Sequence, residues 1–113
     1  MKKRNPLNLN PLQLRTLTLF QALADLPFHS QDVEGGAGRV ITDIPHPHGD
    51  HMHLGPYAVH GADMSGLHNE AVWVALDRKG LIKATFPNSC TVTPEGLAYD
   101  TGLKDVILHG SDH

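Results

Sequence analysis

Cysteine is nearly absent from this chain: Cys90 is the only one, so no internal disulfide can form and a disulfide-stapled secreted scaffold is excluded. Long apolar runs are missing too, and none approaches the roughly 20 residues needed to span a bilayer. Nor is there an excess of positive charge. The formal net charge of −3 gives no global attraction to nucleic acid or anionic lipid, which leaves only a local basic patch for gripping phosphates. Met1-Lys2-Lys3-Arg4 has the charge of a signal-peptide start, but Asn5, Pro6, Asn8, Asn10 and Pro11 break any apolar segment after it. A cytoplasmic protein without a membrane role is the expectation. With 19% charged and 40% apolar residues over 113 positions, the composition is that of one globular domain, residues 1–113.

Histidine is what the chain has in abundance. Five of its nine histidines, His46, His48, His51, His53 and His60, fall within fifteen residues. Imidazole is the commonest metal ligand, so this density points to a metal, a proton or a polar substrate. The stretch from Pro45 to Gly55 is too rich in Pro and Gly for a helix, which leaves an extended ribbon or loop. On such a backbone His46 and His48 share one face, as do His51 and His53. Zinc or another divalent transition metal needs three or four converging ligands, which the five histidines can supply, with Asp43, Asp50 and Asp63 as possible oxygen ligands. The plain alternative is a solvated polar ribbon. His51-Met52-His53 also resembles the His-x-His of cupins, a resemblance that implies metal ligation.

Around the ribbon, Asn10, Pro11 and Gln13 form a helix start, with Asn at the N-cap, Pro at the first helical position and Gln placed to reach back. A first helix over residues 11–25 follows, with Leu12, Leu19, Phe20, Leu23 and Leu26 on a broad apolar face suited to the core or a partner subunit. Residues 29–38 read as a flexible connection and residues 39–44 as a strand, the opening of a histidine-rich ribbon over 39–64. One or two short strands around Gly55-Pro56 are expected next. A second helix, opened by Ser65 or by His68-Asn69 and running to residue 79, carries Leu67, Ala71, Val72, Ala75 and Leu76 as its stripe and stops at Gly80. A hairpin over 81–93 turns at Pro87-Asn88-Ser89, a short helix starts at Thr93-Pro94-Glu95, and Val106-Ile107-Leu108 is a possible last strand.

Val74-Ala75-Leu76-Asp77-Arg78-Lys79-Gly80-Leu81-Ile82, followed by Thr93-Pro94-Glu95-Gly96-Leu97, resembles the recognition helix and wing of winged helix-turn-helix proteins. The resemblance covers residues 71–99. It implies an α+β domain in which a histidine-rich, partly extended insertion stands in place of the second helix. It also implies double-stranded DNA as a partner, with His68, Asn69 and Glu70 near base edges and Arg78, Lys79 and Lys83 positioning phosphates. As helix caps, His68 and Asn69 need no functional explanation. A homodimer built through the leucine-rich first helix would double the DNA contacts.

No Ser-His-Asp arrangement can be drawn from spacing, so no catalytic residue is assigned. Cys90 in a strand reads as a small buried apolar residue, and Trp73 as a core flank or the lining of a ligand pocket or interface. The leading expectation is a small winged-helix-like regulator or DNA-associated protein with a metal-sensing or ligand-sensing histidine segment. A metal-dependent enzyme or metal carrier without a nucleic-acid role, and a dimerising interaction module, are the alternatives.

Overall fold

The computed structural model describes residues 5–44 and 51–110. Helix α1 spans Pro11–Ala24. Asn10 Oδ1 accepts from the Gln13 N–H at 2.8 Å, and Gln13 Oε1 accepts from the Asn10 N–H at 3.0 Å, closing the expected capping box. The helix is not a one-faced surface helix, because every residue from 16 to 24 is buried. The Thr16 and Thr18 hydroxyls donate to the carbonyls of Leu12 and Leu14, and Gln21 Nε2 donates to those of Gly96 and Tyr99, while Gln21 Oε1 is buried without a hydrogen-bond partner.

A four-stranded antiparallel sheet flanks α1, formed by β1 (Ser30–Asp32), β2 (Arg39–Ile41), β5 (Ile82–Thr85) and β6 (Ser89–Val92) in the order β1-β2-β6-β5. Strand β1 lies inside the segment expected to be a flexible connection. One guanidinium fixes it: Arg39 Nε donates to the Ala24 carbonyl at 3.0 Å, Nη1 to Asp32 and Nη2 to the Ser30 hydroxyl at 2.8 Å. This ties the β1–β2 pair to the C-terminal end of α1.

A second, three-stranded sheet has the order β3-β4-β7, from His51–Leu54, Tyr57–His60 and His109–Gly110. Gly55, at φ +54°, takes the first position of the two-residue turn between β3 and β4, where the glycine's left-handed backbone suits a tight hairpin. Met52, Leu54 and Val59 face the core. The expected strand at 106–108 is corrected: Lys104–Ile107 is a helical turn, α4, and pairing begins only at His109.

Of the two expected starts of the second helix, the structure takes the one at His68-Asn69, and the longer helix from Ser65 is corrected. Two 3-10 turns, Gly61–Asp63 and Ser65–His68, precede helix α2 at Glu70–Arg78. The break falls at Asn69, which is extended (φ −112°, ψ 104°) and whose side chain accepts from the Ala71 N–H at 3.1 Å. The inward residues of α2 are Val72, Trp73 and Leu76, and Ala71 is exposed. Trp73 sits at the centre of the core, edge-on to Phe20 at 5.2 Å and to Phe86 at 5.0 Å, and its Nε1 donates to the Leu67 carbonyl. Its ring is fully buried in the core, and it forms the floor of a groove between α2 and β5.

After α2, Gly80 adopts φ +77° and the chain turns into β5. The Thr93 hydroxyl donates to the Gly80 carbonyl at 2.7 Å and accepts from the Gly96 N–H at 3.0 Å, capping α3 (Pro94–Ala98). A methyl at Gly96 would collide with the Leu81 carbonyl oxygen, so the Thr-Pro-Glu-Gly pattern has a packing reason. Cys90 is buried, as the sequence suggested.

Candidate functional site

Two regions hold the residues singled out from sequence. The first is the outer face of the β3–β4 hairpin. His46 and His48 lie outside the described residues, whereas His51, His53 and His60 are on the paired strands. The register sets His51 opposite His60 and His53 opposite Ala58. Side chains alternate along a strand, and directly opposed positions share a face. With Met52, Leu54 and Val59 buried and His53 and His60 exposed, positions 51, 53, 58 and 60 all belong to the outward face. The sequence reading put His51 and His53 on one face of an extended ribbon and counted His60 in the same histidine set; the register is what sets His60 opposite His51.

Strand β7 then sets His109 opposite Ala58 on the other side of β4. Sequence reasoning missed this histidine because the tail was read as pairing three residues too early. The signal available was a histidine directly before Gly110 in a chain whose other sheet positions were already histidine-rich. Among the described residues, no three His, Cys, Asp or Glu side chains form a group that could hold a metal ion.

The second region is α2 and the strand after it. His68 ends the 3-10 turn, Asn69 is the cap, and Glu70 opens the helix; Arg78 and Lys79 close it, and Lys83 stands on β5. All six are exposed. Asn69 Oδ1 is engaged with the backbone, which leaves its amide nitrogen as the group free of the capping role. Between α2 and β5 runs a groove of ≈ 530 Å³ whose lining includes Glu70, Val74, Asp77, Arg78 and Phe86. Asp77 Oδ2 accepts from the Ala84 N–H at 2.9 Å, so this acid pins the helix to the strand and its charge is partly taken up by the backbone. The face presented is thus of mixed sign, with its cations gathered toward the C-terminal end of α2 and the start of the hairpin.

Cys90 belongs to neither region. Burial pushes its thiol up from 9.0 to about 12, which removes thiolate chemistry at neutral pH. No helix among the described residues is long and apolar enough to cross a membrane. No protein-family model matches this chain, and neither a curated protein nor a solved structure is significantly similar to it.

Proposed function

We propose that this protein is a small, cytoplasmic, winged-helix-like regulator or DNA-associated protein whose histidine-rich segment senses zinc or another divalent transition metal. The observation that carries the reading is the connectivity. A core helix leads to a strand, β2, that pairs with the second strand of a later hairpin, β6, and helix α2 directly precedes that hairpin. This connectivity supports a winged-helix reading in which β1 is an added edge strand and the β3–β4 hairpin and the 3-10 turns stand where that reading expects a second helix. On this reading α2 approaches a major groove. His68, Asn69 and Glu70 stand nearest the base edges, and Arg78, Lys79 and Lys83 position phosphates.

Charge gives the metal a part in this. A bound divalent cation offsets two of the three net negative charges, so metal loading favours approach to a polyanion. A homodimer would present α2 twice. Since residues 16–24 of α1 are buried within one chain, such a dimer draws on other surfaces; Phe28, 94% exposed, and Val106, 59% exposed, are large apolar side chains available to it.

The paired change Arg78→Glu and Lys83→Glu tests the DNA reading. Both side chains are exposed, so folding should survive, and zinc-dependent duplex binding should fall at least about tenfold. Binding unchanged by this reversal would remove α2 and the hairpin from the interface. The acids Glu70 and Asp77 on α2 favour one competing reading, a metal carrier or metal-dependent enzyme without nucleic acid; zinc binding with no duplex binding would select it.

A further inference from the structure

The C-terminal end of α1, the start of β2, α3 and the start of α4 meet at a cleft of ≈ 470 Å³, lined by Gln21, Ala24, Asp25, Arg39, Leu97 and Lys104. Its size falls within the range of about 300–1,000 Å³ typical of small-molecule sites. Gln21 is 3% exposed; its Nε2 is committed to the Gly96 and Tyr99 carbonyls, and its Oε1 is buried without a hydrogen-bond partner. A buried acceptor left unpaired costs stability, so this oxygen favours a donor brought to it. The charges on the cleft are unmatched as well. Asp25 and Lys104 are both exposed there, yet among the described residues neither forms an ion pair, with the other or with a third group. Arg39 donates through Nε, Nη1 and Nη2 to Ala24, Asp32 and Ser30, which uses three of a guanidinium's five N–H groups. One carboxylate and two cations thus line one cleft, with the carboxylate at the negative end of the α1 dipole.

We propose that this cleft binds a free α-amino acid with an aliphatic side chain. Its carboxylate meets Lys104 and the remaining Arg39 donors, and its ammonium meets Asp25 and donates to Gln21 Oε1; Ala24 and Leu97 supply the apolar wall for the side chain. An ammonium has three donors, enough for both acceptors. Because Oε1 is closed to solvent, it is reached as the lining shifts around the ligand. A lone anion would face Asp25, and a lone amine would face Arg39 and Lys104, so the like charges select a zwitterion over either half. The site goes beyond the function proposed above and does not depend on it, since none of its residues lies on α2 or on the histidine-bearing strands.

The test is calorimetric titration of the full, untagged chain with L-leucine, L-valine and L-alanine, beside acetate and ethylammonium as the two halves of the zwitterion. At least one amino acid should bind with Kd below about 10 mM, and acetate and ethylammonium should bind at least about tenfold more weakly. Lys104→Ala and Asp25→Asn should each weaken the amino acid by about threefold, the scale of an exposed charge pair. Both side chains are exposed, so folding should survive, and Trp73 fluorescence verifies that each variant has kept its core. The side-chain amide resonance of Gln21 should shift as the amino acid binds. If none of the three binds below about 10 mM, if acetate or ethylammonium binds as well as they do, if either variant binds as wild type does, or if the Gln21 resonance stays in place, the assignment is wrong. Duplex and zinc binding are measured apart from this titration, so its failure leaves the DNA and metal readings to their own tests.

Discussion

Gly66 has no room for a methyl group, since a Cβ there would run into the Thr16 hydroxyl and crowd Leu12. The 3-10 turn Ser65–His68 lies directly on α1 at this point, and Thr16 is held by its own bond to the Leu12 carbonyl. Gly66→Ala should therefore destabilise the protein by about 1–3 kcal/mol through overpacking, read as a lower denaturant midpoint with unchanged slope. A midpoint equal to wild type would mean that the turn lifts away freely. Cys90 supports a prediction in pH. Its folded-state value lies above that of an exposed thiol, so the folded chain holds the proton when the unfolded chain releases it. The stabilising contribution is full below about pH 9 and is lost as pH rises from there toward about 12. Cys90→Ala should flatten that alkaline loss, and native protein at pH 8 should resist a thiol reagent that reacts readily in urea. Rapid native labelling would contradict the burial.

Among the elements, α1 shows how far local chemistry reaches. Asn10→Ala removes one side of the capping box and should cost about 1 kcal/mol, measured by chemical denaturation; no loss would show that packing alone starts the helix. The cap, the Gly80 stop, the Thr93 cap and the hairpin over 82–92 were all legible in the sequence, because each rests on residues within a turn or two of one another. The features that were not legible depend on distant partners. Ser30-Gln31-Asp32 has no alternating apolar pattern, and its strand exists because Arg39 and Ala24 hold it. The 3-10 turn before Asn69, with Gly66 seated on Thr16 an element away, is another such feature. Trp73 looked peripheral on a helical wheel but falls between Phe20 of α1 and Phe86 of the hairpin, which no periodicity reveals. His51, His53 and His60 were already in the histidine set read from the sequence; His109 joined β4 only through register.

At the scale of the whole molecule, the helices with the four-stranded sheet and the histidine-bearing sheet share one hydrophobic core that runs from Leu17 and Phe20 through Trp73 to Met52, Leu54 and Val59. With a net charge of −3, the apo chain should bind duplex poorly, and the salt dependence should be shallow, about −0.9 in log–log slope for each phosphate neutralised. The most direct test is fluorescence anisotropy of labelled random and genomic duplexes at low salt, with the full chain in zinc and in chelator. The account predicts binding in zinc that weakens in chelator and falls with added salt. No binding in either condition, on either kind of duplex, would contradict it.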